Sequence, residues 1–199
     1  MTNEKMLQKM YEYKDMFKDS IFDSTIAELQ EDIRTELQKK KGNTKRDTLL
    51  KKVVKSKWSE ARDMEKCYHP VGDKYGFTDG YRAYVLNDSY GYENIVDRNR
   101  EPLNFKACKP EGCNIELKID RVELKLFAKE MKAKKIKSPL YVIENDKIKI
   151  GFNGNFLMEF LEMFDTDTIY CKAPKVAAYY ENEQGEWGLL FPVRLPEND

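Results

Sequence analysis

The chain has 199 residues with 35 basic and 35 acidic side chains, so net charge selects neither a nucleic acid nor an acidic partner, and the distribution of charge matters more than its sum. A hydrophobic content of 41% with 12% aromatics belongs to a folded protein rather than a disordered one. No stretch approaches the ~18 apolar residues of a membrane span, and Met1-Thr2-Asn3-Glu4-Lys5 lacks the apolar core of a secretory signal, so the expectation is a soluble, cytoplasmic protein.

Met6, Leu7, Met10, Tyr13, Met16 and Phe17 share one helical face, and Ile26, Leu29, Ile33 and Leu37 another. Asp19-Ser20 and Asp23-Ser24 suggest a break between them, Thr25-x-x-Glu28 a capping box, and Gly42-Asn43 a helix end. Residues 1–43 thus form a helical arm, either a hairpin packed on the main domain or a partner-binding or dimerising element.

The third helix is predicted from Asp47 to about Glu65, with Leu50, Val53, Val54, Trp58 and Ala61 inward and Lys51, Lys52 and Lys55 on a basic outer face. Such a face suits phosphate contacts or is simply solvated. Tyr75 to Leu86 reads as two strands around Asp79-Gly80. The turn-rich, polar stretch 88–114 reads as an irregular insertion. Ile115 to Ile119 alternates as a strand. Asp120 then caps a helix whose inward residues are Val122, Leu124, Phe127, Ala128 and Met131, and whose exposed face includes Lys125, Lys129 and Lys132. A hairpin around Asn145-Asp146 follows. Beyond it, Asn153 or Asn155 caps an apolar helix through Phe164, and three strands over 168–172, 175–180 and 187–195 form a meander.

The four cysteines, Cys67, Cys108, Cys113 and Cys171, are scattered, and free thiols are the default for such a chain. A zinc-containing nucleic-acid-binding module would use Cys67, His69, Cys108 and Cys113, but the spacing is irregular and Pro70 restricts His69, so the expectation is no metal and no cofactor. A single histidine, no Gly-rich phosphate loop and no Ser-His-Asp arrangement argue against an enzyme.

Two segments carry a family resemblance. Ile150-Gly151-Phe152-Asn153 with Phe156-Leu157 and Phe191-Pro192-Val193-Arg194-Leu195 resembles the end of bacterial DNA sliding clamps, the β subunits of DNA polymerase III. Phe and Val stand where that family has two methionines. Thr78-Asp79-Gly80-Tyr81-Arg82-Ala83 resembles the clamp segment Thr-Asp-Gly-His-Arg-Leu-Ala, with tyrosine in place of histidine. The resemblance implies an α+β fold with helices packed on antiparallel sheets, residues 44–199 forming a clamp-like domain. It also implies a groove for short peptide motifs of polymerases or clamp loaders. One wall would be Thr78, Gly80, Tyr81, Arg82 and Ala83, and the other Phe191, Pro192, Val193, Arg194 and Leu195. It implies sequence-independent, weak contact with double-stranded DNA through Lys51, Lys52, Lys55, Lys125, Lys129 and Lys132. The helix near 155–164 departs from that pattern, carrying Glu159, Glu162 and Asp165 without a basic residue. The length fits a reduced relative, as a phage or mobile element carries, which would close a ring only as a homo-oligomer. The alternative is a decoy that engages host replication proteins without forming a ring.

Overall fold

The structure is a computed structural model and describes residues 2–17, 21–56, 69–92 and 103–195. Three helices come first: α1 (Asn3–Phe17), α2 (Ile21–Lys40) and α3 (Thr44–Val54). Strands β1 (His69–Val71), β2 (Lys74–Thr78) and β3 (Arg82–Leu86) precede a one-turn helix α4 (Phe105–Cys108). Then come β4 (Ile115–Lys118), α5 (Arg121–Ala133), β5 (Leu140–Glu144), β6 (Lys149–Asn153) and α6 (Gly154–Phe164). The chain closes with β7 (Thr168–Cys171), β8 (Ala178–Glu181) and β9 (Trp187–Leu190). The class is α+β, as expected. Seven strands pair antiparallel in the order β1-β2-β3-β9-β8-β7-β4, and β5-β6 form a separate hairpin sheet. Among the described residues no helix is long and apolar enough to cross a membrane.

Helix α6 is the hub. Asn153 starts it, its side chain accepting from the backbone N–H groups of Asn155 and Phe156. Leu157, Phe160 and Leu161 are fully buried, each contributing roughly 1.5–3 kcal/mol of transfer free energy. Phe160 stacks on Tyr84 of β3, ring centroids 5.9 Å apart, and Phe164 packs on Tyr180 of β8 at 5.4 Å. Gly188 of β9 lets the strand approach this helix. A Cβ there would lie 2.7 Å from the Phe164 ring and 2.9 Å from the Ala83 carbonyl. Helices α3 and α5 both pack against α6, and β6 joins the same core through Ile150 and Phe152. The opposite face of the large sheet carries a smaller cluster of Ala83, Val85, Phe105, Ala177, Trp187 and Leu189.

At the N-terminal end, α1 packs along α2 and buries no residue of its own. Helix α2 is fastened to α3 by the buried Arg34, which donates to Asp47 and to the Tyr90 carbonyl and stacks over the Tyr92 ring at 4.3 Å.

Several boundaries differ from the sequence reading. Helix α2 begins at Ile21, so Asp23, Ser24 and Thr25 lie inside it, and Phe22 packs on Tyr13 of α1 with centroids 6.3 Å apart. That aromatic contact carries the helix past residues that would otherwise cap it. Helix α3 begins at Thr44, and Asp47 serves as the buried partner of Arg34 rather than as its first residue. Trp58 and Ala61 lie outside the described residues. Val122 faces outward, 68% exposed, because α5 is held by Leu124 with Phe127, Ala128 and Met131 half-buried. Strand β9 ends at Leu190, where Pro192 removes a ladder donor and the chain leaves for the small sheet.

Candidate peptide groove and lysine surfaces

The Thr78–Ala83 segment is a locked turn. Gly80 has φ of +82°, which glycine adopts without penalty. The Thr78 hydroxyl donates to the Arg82 carbonyl at 2.8 Å and accepts from the Gly80 N–H at 3.0 Å. The Asp79 carboxylate accepts from the N–H groups of Tyr81 and Arg82 at 3.0 and 3.1 Å. This turn delivers β3 to β9 in a register that pairs Arg82 with Leu190 and Ala83 with Leu189. One step further, the Phe191 N–H donates to the Tyr81 carbonyl at 2.9 Å. The two resemblance-bearing segments, far apart in sequence, are therefore hydrogen-bonded neighbours.

Beyond Phe191 the chain crosses to the small sheet. The Val193 N–H donates to the Gly151 carbonyl at 2.8 Å, and β6 pairs Gly151 with Val142 of β5. Directly opposed residues of antiparallel strands point to the same side, so Val142, Gly151 and Val193 form one row on one face. Phe191, Val193, Leu140 and Val142 are each exposed by 41–43%. Leu195 is buried and reaches Gly151 together with Leu140: a Cβ on Gly151 would meet their methyls at 2.9 and 2.8 Å. The result is an apolar surface with a floor only a backbone deep. Leu140 and Val142 were not anticipated. The signal was available, because Leu140 to Ile143 is apolar at successive positions and so cannot bury both faces of a two-stranded edge.

The ten groove residues divide. Phe191, Val193 and Arg194 are exposed, Gly80, Tyr81 and Pro192 are half-buried, and Thr78, Arg82, Ala83 and Leu195 are buried. Arg82, expected on one wall of the groove, points into the protein instead. It donates to Asp79 at 3.2 Å and to Glu159 of α6, and its guanidinium lies over the Phe156 ring at 4.5 Å. Burial opposes its charge, yet Tyr84, Glu159 and Asp79 together raise its pKa above the ordinary arginine value. Tyr81 packs on the same Phe156 ring, centroids 5.9 Å apart. In the sequence Glu159 stands out only as an acidic departure, and its place beside Arg82 is not legible there. The acidity of this helix, which departs from the clamp pattern, supplies the counter-charge to a buried arginine.

The six candidate DNA-binding lysines also divide. Lys51 contacts Glu31 at 3.1 Å and donates to Thr35 at 2.9 Å, Lys52 contacts Glu159 at 2.6 Å, and Lys55 contacts Glu31 at 3.6 Å. Glu31 responds to this company. Burial works against its charge, but hydrogen bonds from Arg34 and Lys51 hold its pKa down at about 2. Lys125, Lys129 and Lys132 have no ion-pair partner among the described residues. With Lys135 and Lys137 they border a cleft of about 580 Å3 between α5 and the start of α6.

Among the described residues no group of three or more His, Cys, Asp or Glu side chains is placed to hold a metal ion. Cys67 and the His69 side chain, two members of the conceivable zinc set, lie outside the described residues. Cys108 is exposed, Cys113 half-buried and Cys171 buried, all as free thiols.

No family model matches the chain, and no curated protein matches it. Solved structures of bacterial DNA polymerase III β subunits do. One, a putative β subunit from Eubacterium rectale, is 13% identical, with 64% of this chain and 56% of that chain covered and a TM-score of 0.47. The sliding clamp of Pseudomonas aeruginosa bound to griselimycin is 12% identical, covering 64% and 56%, with a TM-score of 0.45. The Helicobacter pylori β clamp bound to a DNA ligase peptide is 14% identical, covering 61% and 41%, with a TM-score of 0.39. The matched region thus spans about half the length of those proteins.

Proposed function

We propose that this protein is a non-enzymatic DNA replication accessory related to sliding clamps, which takes a short peptide of a replication protein on the apolar surface around Val193. The observation that carries this is the direct hydrogen bond between Tyr81 and Phe191. It unites two segments that each resemble a clamp motif, and in clamps the corresponding strands line a peptide groove. The buried members, Thr78, Arg82, Ala83 and Leu195, set the geometry. Contact with ligand falls to Tyr81, Phe191, Pro192, Val193 and Arg194, extended by Leu140 and Val142 across Gly151. Duplex DNA is a second, weak and sequence-independent partner, met through the phosphate charge by Lys125, Lys129 and Lys132.

The test is fluorescence anisotropy with a labelled peptide bearing a glutamine and spaced Leu and Phe anchors. The parent protein is expected to bind with micromolar affinity, roughly −8 kcal/mol. Val193→Asp places a charge where an apolar anchor sits and is expected to abolish binding. Because Val193 is 41% exposed, the variant should keep the parent melting temperature. A parent protein that ignores the peptide, or a folded Val193→Asp that binds it equally well, overturns the proposal.

A further inference from the structure

Phosphate charge accounts for only part of what surrounds the α5 lysines. The cleft there is lined by Lys125, Lys129, Lys132, Lys135 and Lys137 around Ala128, Met131, Ile136, Pro139, Asn155 and Met158, with no acidic side chain among them. On the other side of the lysine row, Val122 and Leu126 stand one helical turn apart and are 68% and 64% exposed. Going round α5, the order is an apolar cleft, a row of ammonium groups with no ion-pair partner among the described residues, then an exposed apolar pair.

A nucleic acid would use only the middle of these three bands. The cleft lining holds no aromatic ring on which a base could stack, and a phosphate backbone gains nothing from Val122 or Leu126. A polypeptide segment that is both acidic and apolar uses all three. Its carboxylates meet the ammonium row, one aliphatic side chain enters the cleft over Met131 and Met158, and another covers Val122 and Leu126. Methionine floors accept aliphatic anchors of varied shape. The volume of about 580 Å3 is of the size that encloses a few side chains.

We propose that α5 and the cleft beside it form a docking site for an acidic, amphipathic segment of a partner protein, separate from the Val193 surface and competing with DNA for the same lysines. The peptide site goes beyond the clamp-related role, and only its competition with DNA rests on the duplex contact proposed above.

The experiment uses the full chain and three labelled synthetic helical peptides: one with glutamates and leucines on opposite faces, one with the leucines replaced by serine, and one with the glutamates replaced by lysine. The first is expected to bind, the second about tenfold more weakly, and the third not at all. Leu126→Gln and Met158→Gln are expected to weaken the acidic peptide about tenfold while leaving duplex DNA affinity unchanged. Unlabelled duplex DNA should displace the peptide. Leu126 is solvent-exposed, so its variant reports on binding rather than folding. Binding of DNA without binding of the acidic peptide would overturn the proposal and leave the row to phosphate alone. Equal peptide affinity of Leu126→Gln and the parent would overturn it too. The Val193→Asp variant should bind the acidic peptide normally, so failure here is distinguishable from failure at the groove.

Discussion

Helices α3 and α5 carry lysine rows that look equivalent in the sequence, and the fold treats them oppositely. On α3, Lys51 and Lys55 turn to Glu31 of α2, and Lys52 turns to Glu159 of α6. On α5, Lys125, Lys129 and Lys132 face a cleft with no carboxylate in its lining. The difference lies in the neighbours. Helix α3 is wedged between two helices that each offer a glutamate, whereas α5 borders α6 where that helix presents Asn155 and Met158. One row ties helices together, and the other has no such tie among the described residues. Charge density along a chain therefore says little about which charges remain available once the chain is folded.

The largest way to break that comparison is through Glu159, which serves Lys52 and the buried Arg82 at once. Arg82→Ala leaves Asp79 buried without its side-chain partner, and removing one member of a buried pair costs about 3–5 kcal/mol. The expected outcome is a large fall in melting temperature, read by circular dichroism. A variant as stable as the parent would mean that Arg82 is dispensable to the junction of β3 and α6.

Acid should attack the α3 side next. Glu31 has its pKa held at about 2, below the ordinary carboxylate value of 4.5. A depressed carboxylate contributes stability that is complete above its unfolded pKa and is lost as pH falls through the folded one. The window is therefore roughly pH 4.5 down to 2, and the loss, reduced by solvent screening of a half-buried group, on the order of 2 kcal/mol. Denaturant titrations across that window should show it in the parent and less of it in Glu31→Gln. An identical pH profile for both would remove Glu31 from the account. Glu186, held down against burial by Arg46 and the Asn87 N–H, adds to the same trend.

Much of the fold was legible because local signals agreed with the global packing. The Asn153 cap, the apolar stripe of α6, the hairpin around Asn145-Asp146 and the turn at Asp79-Gly80 are each dictated within a few residues. The misplaced boundaries share a cause: Phe22 on Tyr13 and Asp47 under Arg34 are contacts between elements, and no local pattern encodes them. The same holds at the proposed groove. Its residues carried the resemblance to the clamp segments, so the segments could be named. Which of them face solvent depends on Glu159 lying across from Arg82 and on Pro192 releasing the chain toward Gly151, and both depend on tertiary register.

The smallest effect is the sharpest comparison of the two lysine rows. Neutralising α3 with Lys51→Gln, Lys52→Gln and Lys55→Gln removes partly exposed ion pairs worth about 0–1 kcal/mol each. A modest fall in melting temperature is expected, with little change in DNA affinity. Neutralising α5 with Lys125→Gln, Lys129→Gln and Lys132→Gln should change stability by no more than about 0.5 kcal/mol, since these side chains are exposed and have no ion-pair partner among the described residues. Its effect should appear in binding instead. Three fewer phosphate contacts make the slope of log affinity against log salt shallower by about 2.7. Both triple variants keep the chain length and lose the same three charges, so a general electrostatic effect would shift their DNA binding alike. A slope change in the α5 variant alone assigns the contact to that face; equal slopes in both would return the two rows to equivalence and cancel the distinction between them.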